Sequence, residues 1–485
     1  MRTLGALLDR LNPLDRFMLA TSEKWPQDIG ALAVIDGGAL LDSDGHVRIE
    51  TVRAAIRSRL PLVPRFRQLV RRPGRGLGPP LWVDDPTFDL ARHVLEFPLP
   101  APGGEVELLG AAEQLRRQRL DPSRPLWQMW LLTGLPDGRI GLFVKLHHAI
   151  ADGMAAMTTV AALLDTDPDG PTVAVGAWSP APLPTAGELF ADNLRRRLGG
   201  LASALAPLAR PRTTLRAARA AWPAVREVLA EEPGPETSLD RMVGLDRNIA
   251  LIRSTLEQVK QIAHRHEATV NDVLLAATAG GLRALLRGRG EQVEDVTVPI
   301  YVPVSLRREP RGPHPQHGNM IAQMVVPLPL GGSDPSHRLH QIAAATAERK
   351  SRRRTSLGRL IRGPRFVRRL MIGAVLRQRV NLTSASIPGP PQPLYLAGAR
   401  LIEVFPVLPL VANEPIGVGA LSYAGTFCIG ITADRDAVPD IDVFADGVRQ
   451  ELHALGASSP TAEPVGVASA IPRKGASGAD HWPDR

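Results

Sequence analysis

The residues with the clearest chemistry stand where an apolar run ends, at Lys145-Leu-His147-His148-Ala-Ile-Ala-Asp152-Gly153. A neutral imidazole takes up a proton near pH 7, so a histidine delivered by a strand end is a candidate general base. Asp152, four residues beyond His148, can hold the following loop through an ion pair, and Gly153 permits an unusual φ or a close backbone approach. The same residues also admit a plainer reading, a core histidine beside a surface one with a turn at Asp152-Gly153.

Other chemistries lack their residues. No third histidine, cysteine or carboxylate follows at metal-ligand spacing such as H-E-x-x-H, and no G-x-S-x-G elbow supplies a serine nucleophile. The single cysteine, Cys428, excludes a disulfide framework, a cysteine-based zinc site and a C-x-x-C redox pair, and it suits a reducing cytoplasm. What remains is direct transfer, with His148 deprotonating a hydroxyl acceptor, no resident cofactor and no metal.

His-His-x-x-x-Asp-Gly resembles the active-site signature of the chloramphenicol acetyltransferase-like acyltransferases and of condensation domains. Its company resembles the bacterial wax ester synthase/diacylglycerol acyltransferase family across roughly residues 8–455, the connector excepted. Pro13-Leu-Asp15-Arg-Phe17, Leu60-Pro-Leu-Val-Pro-Arg-Phe-Arg67 and Trp82-Val-Asp-Asp-Pro86 resemble its early segments, and Pro125-Leu126-Trp127 its Pro-Leu-Trp segment. Thr269-Val-Asn271-Asp272, Val302-Pro-Val-Ser305-Leu-Arg307, His317-Gly318-Asn319, Ser386-Ile-Pro388-Gly389-Pro390 and Thr432-Ala-Asp434-Arg435-Asp436 follow in family order. Two departures fall in the second half. Ser386 stands where the family usually has Asn, and another Asn often occurs near Gly419, which leaves acceptor choice open.

The resemblance implies two acetyltransferase-like α/β domains, mixed sheets flanked by helices, with the active site in the cleft between them. It implies a long-chain acyl-CoA as co-substrate and a diacylglycerol or long-chain alcohol as acceptor, giving triacylglycerol or wax ester. Under it His148 is the base, His147 orients the strand end, and Asp152 is a structural brace paired with an arginine. Gly153 lets backbone donors approach the oxyanion. Pro125, Leu126 and Trp127 shape the site as a packed strand entrance. Asn271 and Asp272 lie in the first turn of a helix capped by Thr269 and also help hold the cleft. Ser386, Pro388 and Gly389 bind substrate or shape the site, in a region where the family's amides position the acceptor or the acyl group. Two rival classes are an acyltransferase of this fold with another hydroxyl or amine acceptor, and a lipid-surface protein whose catalysis has lapsed.

The elements that must position these residues follow from length and periodicity. At 485 residues the chain suits two domains. Residues 1–165 read as one α/β unit, with apolar runs at 29–35 and 139–146 and a helix at 49–59. Residues 166–245 are a Pro-, Ala- and Arg-rich connector with helical stretches at 189–205 and 215–229. A second unit, 246–456, opens with a strand at 248–253 and helices at 256–266 and after Thr269. A strand at 297–303 follows, and the unit closes with a hairpin across Ala424-Gly425. Residues 457–485 read as a disordered tail.

Hydrophobic residues at 44% and charged residues at 22% are ordinary for a folded chain. The formal charge of +9 invites nucleic acid, but only five of the 58 basic residues are lysine and aromatics are 4%. The arginine excess therefore reads as chain-wide usage, and no nucleic-acid partner is expected. No run is long and apolar enough to span a bilayer. Residues 349–379 carry twelve basic residues among leucines and isoleucines. That segment suits the surface of an anionic membrane or lipid droplet, or the phosphates of coenzyme A; a solvated arginine-rich face is the alternative. The sequence leaves oligomeric state open.

Overall fold

Apolar alternation over 28–36 and 139–147 lays down two neighbouring antiparallel strands, with Asp28 opposite His147 and Asp36 opposite Arg139. The computed structural model describes residues 8–151, 153–170, 178–209, 234–305, 321–351 and 379–456, with residues 212 and 219. In chain order the first elements are α1 (Pro13–Thr21), β1 (Asp28–Asp36), α2 (Ile49–Arg59), β2 (Gln68–Arg71), β3 (Leu81–Asp84), β4 (Val94–Pro98) and α3 (Glu105–Arg117). Next come β5 (Trp127–Thr133), β6 (Arg139–His147), α4 (Gly153–Ala161), α5 (Ala186–Ala209), β7 (Arg247–Thr255), α6 (Leu256–Arg265) and α7 (Val270–Gly288). The last are β8 (Thr297–Ser305), β9 (Ile321–Pro329), α8 (Pro335–Ser351), β10 (Leu382–Pro388), β11 (Tyr395–Leu396), β12 (Ala399–Val407), β13 (Ile416–Tyr423), β14 (Thr426–Asp434) and α9 (Ile441–Ala454).

Two six-stranded mixed sheets carry the fold, in the orders β11-β12-β1-β6-β5-β4 and β7-β14-β13-β10-β8-β9. Local signals account for much of this. Thr269 caps α7 with a capping box, its hydroxyl accepting the Asp272 N–H while the Asp272 carboxylate accepts the Thr269 N–H at 2.9 Å. The hairpin of β13 and β14 turns at Ala424 and Gly425, both at positive φ. The expected helix at 189–205 lies inside α5. The one at 215–229, residue 219 apart, most of the basic stretch 349–379 and the tail from 457 lie outside the described residues.

One strand crosses between the halves. β12 leaves the neighbourhood of the second sheet's strands and pairs antiparallel with β1, Gly30 opposite Val407 and Ala31 opposite Pro406. It passes so close over β14 that a Cβ on Gly430 would sit 2.1 Å from the Pro406 carbonyl oxygen, and one on Gly419 would sit 2.7 Å from the Pro406 Cβ. Only glycine fits there. Arg253 on β7 fastens the crossing, donating to both carboxylate oxygens of Glu403 on β12 at 2.8 and 2.9 Å and pairing with Glu105 on α3 at 2.8 Å. Behind it, Leu32, Phe143 and Phe405 of the first sheet share a buried cluster with Ile249, Leu251 and Cys428 of the second. Hydrophobic packing therefore runs unbroken from one half to the other.

Candidate active site

Alternation along β6 decides which histidine faces which way. Leu142, Val144 and Leu146 line an apolar cavity of about 300 Å³, and His148, the next residue of that parity, lines it too. The His148 N–H donates to the Gln27 carbonyl at 2.8 Å, which carries the β1–β6 ladder one residue beyond the strand. The chain then turns, the Ile150 N–H donating to the His147 carbonyl at 2.9 Å. α4 begins at Gly153 and walls the cavity with Met154, Ala156, Met157, Val160 and Ala161. Asp152 lies outside the described residues.

His147 points the other way and is consumed by packing. Its Nδ1 accepts the Ala149 N–H at 3.0 Å, so its proton sits on Nε2, 2.7 Å from the Ser22 hydroxyl oxygen. Ser22 passes the chain on, donating to the Met18 carbonyl at 2.8 Å. Burial, and then the neighbouring His148, push the His147 imidazole down to about 4. It is neutral at physiological pH and ties the strand end to the end of α1.

Lys145 secures the same strand from beneath. Fully buried, its ammonium donates to the Leu115 carbonyl at 2.8 Å and to the Gln118 carbonyl, and lies 5.3 Å from the Trp130 ring. It thus satisfies carbonyls at the C-terminal end of α3, the end at which a helix favours a cation. Burial pushes its ammonium down to about 8, and burial also raises the Asp28 carboxyl. Nothing in the sequence signalled this role, or that of Ser22, because both depend on partners 27 to 125 residues away.

The cavity lies between the two sheets. β1, β6 and β12 supply one wall, and Thr383, Ala385, Ser386 and Ile387 of β10 with Leu421 of β13 supply the other. Its polar lining residues are Gln27, His148, Thr383, Ser386 and Glu414, set among aliphatic side chains. Glu414 carries no sequence signal. It is half-buried, and the apolar surroundings push its carboxyl up to about 8.

The remaining sequence candidates sort by position. Ser386 and Gly153 line the cavity, whereas Pro388 and Gly389 do not; the Gly389 N–H donates to the Ser422 carbonyl at 2.9 Å. Trp127 is a buried support: its ring stacks between Phe66 and His93, its indole N–H donates to the Phe66 carbonyl at 2.8 Å, and the Leu126 carbonyl accepts the His147 N–H at 2.9 Å. Pro125 and Leu126 are buried with it. Asn271 and Asp272 do not reach the cavity lining; Asp272 accepts from Thr269 at 2.6 Å and from Thr346 of α8 at 2.6 Å, so it is a cap and a helix-to-helix tie. A Cβ on Gly419 would meet the Pro406 Cβ at 2.7 Å, so this position takes no side chain. His317, Gly318, Asn319 and Arg307 lie outside the described residues. Among the described residues, Asp42, Asp44 and His46 form an exposed metal-like group away from the cavity lining; the Asp42 carboxylate there accepts the Asp44 and His46 N–H groups of a turn.

The model of the wax ester synthase/diacylglycerol acyltransferase catalytic domain matches residues 11–274, and that of the WS/DGAT C-terminal domain matches residues 317–456. The chain belongs to the wax ester synthase/diacylglycerol acyltransferase family. It is 32% identical over 442 residues to the protein named "Probable diacyglycerol O-acyltransferase tgs1" of Mycobacterium tuberculosis, covering 89% of this chain and 91% of that one. Among solved structures, the wax ester synthase/diacylglycerol acyltransferase of Marinobacter aquaeolei superposes with a TM-score of 0.63 at 23% identity, over 92% of this chain and 98% of the other. The first condensation domain of the CDA synthetase gives a TM-score of 0.60 at 15% identity, over 95% and 98%. The fold is therefore the two-domain acetyltransferase-like one, and this member of the WS/DGAT family is an acyltransferase.

Proposed function

We propose that this WS/DGAT-family chain transfers a long-chain acyl group from acyl-CoA to the hydroxyl of a diacylglycerol or a long-chain alcohol, with His148 as the general base. The observation that carries the reading is His148 itself, the imidazole on the wall of an otherwise aliphatic cavity between the two sheets. His148 takes the acceptor hydroxyl proton as the oxygen attacks the thioester carbonyl carbon. The tetrahedral intermediate then expels the thiolate, and the imidazolium returns the proton to sulfur, leaving the ester and free coenzyme A. Gly153, opening α4, offers a helix N-terminus and a backbone without a side chain toward the oxyanion. His147, tied to Ser22 and Ala149, keeps His148 in register. The acyl-CoA donor has a structural parallel: the starter condensation domain of rhizomide synthetase, a fold neighbour with a TM-score of 0.58, was solved in complex with C8-CoA and Leu-SNAC.

The substrates are lipids, and α5 suits a chain that works at their surface. Among the described residues no helix is long and apolar enough to cross a membrane. α5 is amphipathic in reverse: Leu189, Asp192 and Asn193 are buried against the body, Asp192 pairing with Arg10 at 2.8 Å. Phe190, Leu194, Leu198 and Leu201 are 56, 45, 57 and 58% exposed. Their spacing puts them on one stripe, with Arg195 and Arg197 exposed beside it, the pattern of a helix that lies on an anionic lipid surface. This exposed stripe supports peripheral attachment to a membrane or lipid droplet.

Purified protein given palmitoyl-CoA with dioleoylglycerol or hexadecanol should release thiol and form the matching lipid ester. Thiol release with neither lipid would point to another acceptor and overturn this reading.

A further inference from the structure

Glu414 is the one carboxyl among the described residues that line the cavity, and it has no evident task there. It sits on the segment that joins β12 to β13, which also contributes Leu408, Pro409 and Val411 to the lining. The registers set this segment near the reacting end. β12 ends with Val407 opposite Gly30, so residues 408 and 409 come level with the end of β6 that presents His148. At its other end, Ile416 stands opposite Leu382, next to Thr383 of the lining. No side-chain hydrogen bond or ion pair engages the Glu414 carboxyl among the described residues.

A polar group left in an aliphatic cavity discriminates against any substrate that cannot match it, because binding that substrate strands the group away from water. A linear alcohol brings one hydroxyl, which the base takes, and nothing further. A diacylglycerol brings the same hydroxyl and two ester carbonyls. We propose that Glu414 is a specificity-determining residue that donates a hydrogen bond to an ester carbonyl oxygen of the acceptor lipid, favouring diacylglycerol over an acceptor that offers only its hydroxyl. Burial alone raises its carboxyl, with no cation contributing, which favours the protonated, donating form. The inference rests on the cavity being the acyl-transfer site.

The test compares 1,2-dioleoylglycerol with 1,2-dioleylglycerol, its ether-linked counterpart, which keeps the chains and the hydroxyl and lacks both carbonyls. The wild type should favour the ester lipid by about tenfold in kcat/KM, the worth of one hydrogen bond to a matched site. Glu414→Met, similar in length and without a donor, should bring that ratio toward one by raising KM for the ester lipid. Glu414→Gln, whose amide still donates, should keep most of it. No preference in the wild type, an unchanged ratio in Glu414→Met, or a Glu414→Gln variant no better than Glu414→Met would overturn the proposal. An equal loss with both lipids and a raised KM for palmitoyl-CoA would also do so, placing the carboxyl on the donor side. Equilibrium binding of both lipids to the full chain carrying His148→Ala, read by native mass spectrometry, separates this from the reaction itself. If the wild type acylates neither lipid but the binding preference exists and is lost with Glu414→Met, the reaction reading fails and the role of Glu414 stands.

Discussion

His147 and His148 are adjacent, and the pleat of one strand gives them different work. His148 follows Leu142, Val144 and Leu146 onto the cavity wall, while His147 closes a hydrogen-bond chain through Ser22 to Met18. The energetics of His147 have a sign that can be checked. Its folded value of about 4 lies below the ordinary 6.5, so between those values the unfolded chain binds a proton that the folded chain refuses. Its contribution is present above pH 6.5 and is lost as pH falls toward 4. His147→Ala should therefore lower stability at pH 8 by about 1–3 kcal/mol, for two lost hydrogen bonds and a cavity. At pH 5 the gap from wild type should narrow by about 2 kcal/mol. Thermal midpoints at the two pH values decide it; a gap that widens on acidification would show that His147 is held charged.

At the scale of elements, much could be read from local pattern because local pattern caused it. The alternation of β6, the capping box at Thr269 and the turn at Ala424-Gly425 each lie within a few residues of what they determine. Side chains that meet only after folding left no such trace. Ser22 reaches His147 across 125 positions, and Glu414 enters the lining from a loop with no motif. Asn271 and Asp272 are legible as a helix start, and both lie off the cavity lining, a placement that sequence does not show because a cap and a cleft residue look alike in it. α5 shows the same limit: its helix was legible, but the burial of its polar face was not, because that face is held by Arg10, 182 positions away. Changing Phe190, Leu194, Leu198 and Leu201 to serine should cut co-sedimentation with vesicles containing phosphatidylglycerol several-fold, through the loss of apolar contact area. The thermal midpoint should stay close to wild type. Unchanged vesicle binding would remove α5 from the lipid surface.

The whole molecule depends on β12 joining the first sheet from within the second half of the chain. The two sheets are thereby fixed about the cavity, and the crossing is tight where Pro406 lies over Gly430. Gly430→Ala should be among the most damaging small substitutions, because its methyl must displace a backbone carbonyl rather than a side chain. A loss of more than about 3 kcal/mol, or of soluble protein, is expected by chemical denaturation. A variant as stable as wild type would mean that the halves are not clamped at this point. The crossing was not legible in sequence, since the apolar pattern of β12 fits either sheet equally well.

Whether His148 moves the proton in acyl transfer is decided by the wild type beside His148→Ala with palmitoyl-CoA and dioleoylglycerol, following free thiol and triacylglycerol together. The wild type should yield thiol and triacylglycerol in equal amounts. Turnover should fall by about 10²–10⁴ in the variant, with an unchanged thermal midpoint. Turnover within a few-fold of wild type in a folded His148→Ala protein would contradict that role for His148.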